Sequence, residues 1–472
     1  METFFNPQSI VIFGASKDPQ KSGNRVLRNI LNYTNKNVYL IHPKEEEILG
    51  IQCYRDLTNI PLEHIDLGVI ILPIPYVLDA LERCVEFHVK SIIIESGALY
   101  FESDDDFENE NRVQMILDNA NKTGIRIMGP NSIGIYCAKK GTKNLTTSLI
   151  YSEDLPGMKE KNLSIVAQTG LTLSGLLLGQ NYIQEVGLAK IACIGNKIDI
   201  NESDLLDFLE NDPDTNAIAL YLEDIKEGQR FKKQCERISK KKPLILLKSG
   251  KTEKGKKAIV SHTKSLAGNY KIIEGLCKQF GIILVEDFHE MFMVSKCLLN
   301  QPIPKGNKIG VVSISGAGTV LASDLSDKFN LKLIELNRIQ KQELKEIFPK
   351  FAWKDIYNPL DIWASIEKVG PNKAYQKSGN ILLSEKNVDI LIFYITGIKE
   401  SEFDWSILKN LNETYPCTAI YVGFFGGDKK LLLKWREEIE ERLNIPTFES
   451  ITMMFKTISK LLELKTTNGS FS

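Results

Sequence analysis

The chain has no two cysteines in a CxxC arrangement. Its eight, at positions 53, 84, 137, 193, 235, 277, 297 and 417, are scattered. That spacing excludes the usual zinc motifs, argues against a disulfide framework and leads us to expect a reducing cytoplasm. No metal site is expected. Nor does any apolar run reach the ~18 residues of a spanning helix. The best, Leu67–Leu78, is short and carries two prolines. Residues Met1–Ile10 show no basic stretch followed by an apolar one, so no secretory signal is expected. An excess of one charge is missing too. Lysine plus arginine is 59 against 60 acids, a net charge of −1. Such a balance offers no global field for nucleic acid or an anionic membrane, and neither is expected as a partner. Histidine is scarce, with five residues at 42, 64, 88, 262 and 289.

What is present is the material of a globular protein. Hydrophobic residues make up 43% and charged residues 25% of 472, enough for about three domains of ~150 residues. Short continuous apolar runs recur, each followed by a polar, helix-like stretch. In the first third they are Ile10–Phe13, Val38–Ile41, Leu67–Leu72, Ile92–Ile94 and Ile125–Met128. Leu163–Val166, Leu188–Ile194, Ala217–Leu222, Leu244–Leu247 and Ile282–Val285 follow. The last are Ile309–Ser313, Leu331–Ile334, Ile390–Tyr394, Ala419–Val422 and Ile445–Phe448. Continuous hydrophobicity fits strands buried on both faces of a parallel sheet, and the stretches between suit crossover helices. The expected fold is therefore α/β, with three doubly wound domains at 1–138, 150–300 and 306–465. The polar stretch Lys139–Lys161 and the proline-bearing Asn300–Asn307 are the expected linkers. The acidic run Glu102–Glu110 reads as a solvated helix start, and 466–472 as a disordered tail.

The first strand runs into Gly14-Ala15-Ser16, and Ser22-Gly23-Asn24 precedes a helix over Arg25–Tyr33. In an open α/β sheet, that turn is the usual place for a ligand phosphate. The spacing is not GxGxxG, so an empty glycine turn and a nucleotide-like ligand both remain open. The second strand ends in His42-Pro43-Lys44, where a dinucleotide site usually carries an acid. A lysine suits an additional phosphate, as on NADP or the 3′-phosphate of CoA.

Three further segments carry a resemblance: Gly129-Pro130-Asn131-Ser132-Ile133-Gly134, the run GNKIDINESDLLDFLENDPDT at 195–215, and SHTKSLAG at 261–268. With the first turn, they make the chain similar to the α subunits of NDP-forming acyl-CoA synthetases of the acetyl-CoA synthetase type, relatives of succinyl-CoA synthetase. The resemblance implies a Rossmann-like CoA-binding domain followed by two flavodoxin-like domains. It implies a phosphohistidine and an ATP-grasp partner subunit, with ATP or ADP and Mg2+ on that partner and assembly as a heterotetramer. CoA and phosphate would be bound as substrates. The CoA residues it implies are Gly14, Ala15, Ser16, Ser22, Gly23, Asn24, Lys44, Pro73, Ile94, Glu95, Ser96 and Asn131.

His262 is the candidate phosphoryl carrier, because Ser261, Thr263, Ser265 and Gly268 give its loop hydroxyls, amides and freedom to move. The attacking nitrogen must be neutral and the other nitrogen held by an acceptor. Glu223, at the end of strand Ala217–Leu222, matches the family glutamate that faces this histidine. The resemblance also places two turns around the phosphohistidine, Gln168-Thr169-Gly170 and Ser315-Gly316-Ala317-Gly318. Helix N-termini there would stabilise the added charge. Gly250–Lys257 has the GxxxxGK spacing of a phosphate loop, but Lys257 stands where a hydroxyl should hold magnesium.

The chain departs from the family in having Lys264 for a glycine, Ala167 and Thr169 for serines, and Ser132 for a cysteine. The expected activity interconverts acyl-CoA, ADP and phosphate with a carboxylic acid, CoA and ATP through an acyl phosphate. A non-catalytic CoA-binding or regulatory protein of the same fold is the alternative, and an NADP-dependent reductase a weaker one. Asn358-Pro359-Leu360-Asp361 also matches the family, without an assigned chemistry.

Overall fold

The computed structural model describes residues 1–34, 37–100, 107–148, 157–173, 186–263, 268–385, 387–397 and 403–464, with the backbone alone at 260–263. The tail at 466–472 and Lys264 lie outside the described residues, as does most of the acidic run. The chain divides into two compact units, Met1–Phe280 with Leu284–Glu286, and Gly281–Ile283 with Asp287–Ser472. Every apolar run singled out above contains a strand.

In the first unit, one sheet runs Glu47–Ile48, Ile51–Tyr54, Val38–Ile41, Ile10–Phe13, Leu67–Ile70, Ser91–Ile94, Arg126–Met128. The central strands are parallel and wholly buried. Residues covered by helices on both faces must be apolar at every position, which is why these strands do not alternate. The chain leaves Ile10–Phe13 to one side for Val38–Ile41 and to the other for Leu67–Ile70. That makes the first strand a topological switch point, with a crevice at its carboxyl end.

The second sheet of this unit runs Ile283–Val285, Leu244–Lys248, Ala217–Leu222, Asn162–Ala167, Gly187–Cys193, Ile135–Cys137, Leu145–Thr146. Its parallel core has the flavodoxin-like order, and Ile135–Cys137 adds on antiparallel to Gly187–Cys193. The stretch expected to be a plain linker after residue 138 thus begins as sheet. Leu145–Thr146 returns beside Ile135–Cys137, and both are buried.

The second unit holds one sheet, Lys332–Leu333, Lys308–Ser313, Ile390–Gly397, Ala419–Gly427, Thr447–Phe448, with Leu360–Asp361 also paired to Lys308–Ser313. Its order is again flavodoxin-like. Helix Phe288–Asn300 belongs to this unit, although the linker was expected only after it. The physical reason is a buried ion pair: Lys296 Nζ lies 2.7 Å from Glu440 Oε1, both 1% exposed. Gln301 adds to it, donating to the Asn444 carbonyl and accepting from the Ile420 amide.

Candidate active site

Two glycines shape the first strand-to-helix turn. Gly14 has φ +93°, and a Cβ there would meet the Ile71 carbonyl oxygen at 2.0 Å. A Cβ on Gly23 would meet the Gly14 carbonyl oxygen at 2.0 Å, so the helix Ser22–Tyr33 can begin against the turn only with glycine. No side chain caps this helix, which leaves its first amides available to an anion. They face a cavity of about 930 Å³ at the carboxyl ends of the strands.

Gly14, Ala15, Ser16, Ser22, Gly23, Pro73, Glu95 and Ser96 all line that cavity. The other CoA positions do different work. Asn24 is buried and donates to the Ser16 carbonyl at 2.7 Å, which braces the turn from behind. Ile94 is a core residue. Asn131, at φ +59°, donates its backbone N–H to the Ser96 carbonyl at 2.7 Å and so fixes the far wall. Lys44 stands outside the cavity, in a shallow hollow with Lys17 and residues 45–47. His42, at the end of the second strand, also lines the cavity, as do Lys21, Arg55, Tyr76 and Arg83, for which the sequence carries no signal.

Glu95 is the unusual member. Both of its carboxyl oxygens are buried and neither makes a well-formed hydrogen bond. Burial holds its proton well above the ordinary carboxylate range, an effect the Thr147 hydroxyl only partly offsets. The fold thus keeps a proton that the unfolded chain releases near 4.5, so this group lowers stability progressively as pH rises above that value. Glu95→Gln is therefore expected to raise the melting temperature at pH 7, by roughly 2–4 °C for each kcal/mol released. The gain should vanish near pH 4, where the carboxyl is protonated in both states. Equal gains at both pH values would trace the effect to packing rather than ionisation.

The second sheet places Glu223 at the end of Ala217–Leu222, beside the end of Asn162–Ala167. Glu223 is 4% exposed, and Tyr221 Oη donates to its Oε1 at 3.3 Å. A buried network fixes its backbone. Gln168 Oε1 accepts from the amides of Glu223 at 2.9 Å and Asp224 at 3.2 Å, while its Nε2 donates to Asp224 Oδ1. Lys197 Nζ lies 2.6 Å from Asp224 Oδ1 and 3.0 Å from Glu202 Oε2, and its side chain is fully buried. Lys248 Nζ donates to the carbonyls of Glu223 and Ser249 at 2.6 Å each; burial lowers this ammonium to about 8. Gln168 was expected to hold phosphate, and here its side chain holds Glu223 instead. Gly170 is dictated by packing, since a Cβ would meet Ile133 Cγ1 at 2.1 Å. Thr169 Oγ1 accepts from the Leu171 amide at 3.2 Å.

The residue-rich run 195–215 is also mostly architecture. Gly195 packs on the Pro130 carbonyl, where a Cβ would come to 2.2 Å. Asp199 forks onto Arg126, Asn201 and Asp204 form a capping box on helix Glu202–Glu210, and Asp212 pairs with buried Lys190 at 2.7 Å.

His262 stands in the last turn of helix Glu253–Thr263. The segment expected as a loop thus begins helical, and 264–267 lies outside the described residues. At the helix start, Thr252 Oγ1 accepts from the Gly255 amide and Lys256 pairs with Glu253. The lysine that a nucleotide phosphate loop would turn inward is thus paired with its own helix, and Lys257 stands in place of the metal-binding hydroxyl. In the second unit, Ser315 caps helix Gly316–Lys328 by accepting from the Ala317 amide. Gly318 is required there because a Cβ would meet Ser313 Oγ at 2.3 Å. Asn358 ties three strands, accepting from the Val311 amide and donating to the Ile309 and Ile334 carbonyls, which gives that motif a structural role.

Comparison with known proteins bears on the same segments. A CoA-binding domain model matches residues 8–138, and a succinyl-CoA-ligase-like flavodoxin domain model matches 160–298. The α subunit of acetate–CoA ligase (ADP-forming) II from Pyrococcus furiosus is 33% identical over 457 residues, 95% of this chain and 94% of that one. Acetate–CoA ligase (ADP-forming) II of Archaeoglobus fulgidus is 33% identical over 395 residues, which cover 83% of this chain but only 56% of that longer protein. Among solved structures, the dinucleotide-forming acetyl-coenzyme A synthetase 1 of Candidatus Korarchaeum cryptofilum, in complex with phosphate and ADP, is 28% identical. It superposes with a TM-score of 0.81 over 98% of this chain and 96% of that one. On the glycine turn, the flavodoxin-like sheets and near-full-length similarity at 33% identity, the chain belongs to the ADP-forming acetate–CoA ligase family, as a homologue of its α subunits.

Proposed function

We propose that this chain is the α subunit of an ADP-forming acyl-CoA synthetase that works through a phosphohistidine at His262. The observation that carries the reading is the uncapped helix N-terminus at Ser22–Gly23 opening on a 930 Å³ cavity at the switch point of the first sheet. That is a place for a diphosphate, and family membership names CoA as its owner. Phosphate attacks the thioester carbonyl; the C–S bond breaks, giving an acyl phosphate and CoA thiolate, which takes up a proton. The His262 imidazole then attacks phosphorus, and the carboxylate leaves. Glu223, held rigidly by Gln168 and Lys248, would orient the imidazole. The phosphoryl group passes to ADP on an ATP-grasp partner, with which a heterotetramer is the expected assembly and on which Mg2+ is expected.

Calorimetric titration tests the first half of this reading. CoA is expected to bind the isolated chain saturably, with NAD and NADP binding at least tenfold more weakly. NADP binding without CoA binding would overturn the reading in favour of a reductase. Thioester formation from a panel of carboxylic acids, with the native partner present, would then fix the acyl group.

A further inference from the structure

The strand order puts Arg55 where the sequence had suggested Lys44. Strand Ile51–Tyr54 lies beside Val38–Ile41, so Arg55 emerges next to the His42–Pro43 turn and lines the cavity. Its guanidinium is held in place by three carbonyls. Nη1 donates to His42 at 2.8 Å and Glu45 at 3.2 Å, and Nη2 donates to Lys44 at 3.0 Å. A guanidinium has five N–H donors. Three are committed, which leaves Nε–H and one N–H on Nη2 for a phosphate.

The other cations near the cavity are less suited. Arg83 leans on Asp56 at 3.7 Å. Lys21 stands at the first helix N-terminus, the place of the diphosphate rather than of the ribose. Lys44 projects outside the cavity, while its amide donates to His42 Nδ1. Asp79, the carboxylate on the cavity wall that would oppose a phosphate, is taken by Arg112 at 2.7 Å. Position matters as well. In doubly wound sheets the end of the second strand is where a ribose and its substituents are read, while the first helix N-terminus takes the diphosphate.

We propose that Arg55, and not Lys44, reads the ribose 3′-phosphate of CoA in this chain. The inference rests on the CoA reading above and deepens it. A phosphate monoester at that point receives two charge-assisted hydrogen bonds from a group already immobilised, so little ordering is needed on binding. Dephospho-CoA lacks the monoester and forgoes both bonds.

The test compares dissociation constants for CoA and dephospho-CoA in wild type, Arg55→Met, Arg55→Lys and Lys44→Met. Arg55→Met is expected to weaken CoA by roughly 10- to 100-fold, the range for a charged hydrogen-bonded pair, with less than about a threefold change for dephospho-CoA. Arg55→Lys should recover only part, because the guanidinium is lost. Lys44→Met should leave the CoA preference within about threefold. Equal weakening of both ligands by Arg55→Met would overturn the assignment and make Arg55 a brace of the 42–45 turn. Loss of the CoA preference in Lys44→Met alone would return the role to Lys44. Should wild type bind neither ligand, the CoA reading itself falls, which separates that failure from a misassigned residue.

Discussion

Replacing His262 by asparagine should abolish both phosphoryl labelling and turnover while leaving the fold and CoA affinity unchanged. Asparagine keeps a polar side chain of similar reach but has no nucleophilic nitrogen, so the P–N bond cannot form. The CoA cavity is built from residues 13–96 and does not include this helix, so CoA titration is an internal control. The measurement is acid-labile phosphate on the chain after incubation with acyl-CoA and labelled phosphate. Label persisting in His262→Asn would move the carrier elsewhere. Glu223→Gln supplies the companion result. Its backbone is fixed by Gln168 and Lys248, so the substitution removes the side chain's charge with little effect on its position. Labelling is expected to slow by about 10²-fold, the usual scale for an orienting or acid–base group. A wild-type rate would make Glu223 a structural strand-end acid.

The chain on its own should take a phosphoryl group from the thioester side but not from ATP. Transfer to or from a nucleotide needs a metal and a pocket for its phosphates. The one segment with phosphate-loop spacing, Gly250–Lys257, uses its Thr252 hydroxyl to cap its own helix and pairs Lys256 with Glu253. The thioester side has its uncapped helix N-terminus, cavity and fixed glutamate within the first unit. Incubation with labelled ATP and magnesium should therefore leave the chain unlabelled until an ATP-grasp partner is added. Acyl-CoA with labelled phosphate should label it without the partner, at a slower rate. Stoichiometric labelling of the lone chain by ATP would overturn the divided site and make Gly250–Lys257 a nucleotide loop.

The sequence by itself determined the fold class, nearly every major strand and the glycine turn at 14–23 that opens on the cavity. Strands covered on both faces must be apolar throughout, and the glycines at 14 and 23 stand where a backbone oxygen would occupy the space of a Cβ. It missed the hairpin Glu47–Ile48 and Ile51–Tyr54, because its turn is Leu49-Gly50, both at positive φ, where Asn-Gly is the usual signal. With that hairpin went Arg55. The sequence also could not separate polar residues that bind from those that brace. Gln168 reads as a phosphate residue until Glu223, 55 positions away, is seen to donate to its side chain. Lys44 reads from the sequence as a cavity residue, and the fold puts it in a separate shallow hollow. Only the tertiary structure decided these points, because a hydrogen bond is set by direction and distance across the sheet. Local patterning records which face of a strand or helix is covered, and by itself contains no record of which distant group completes a polar side chain.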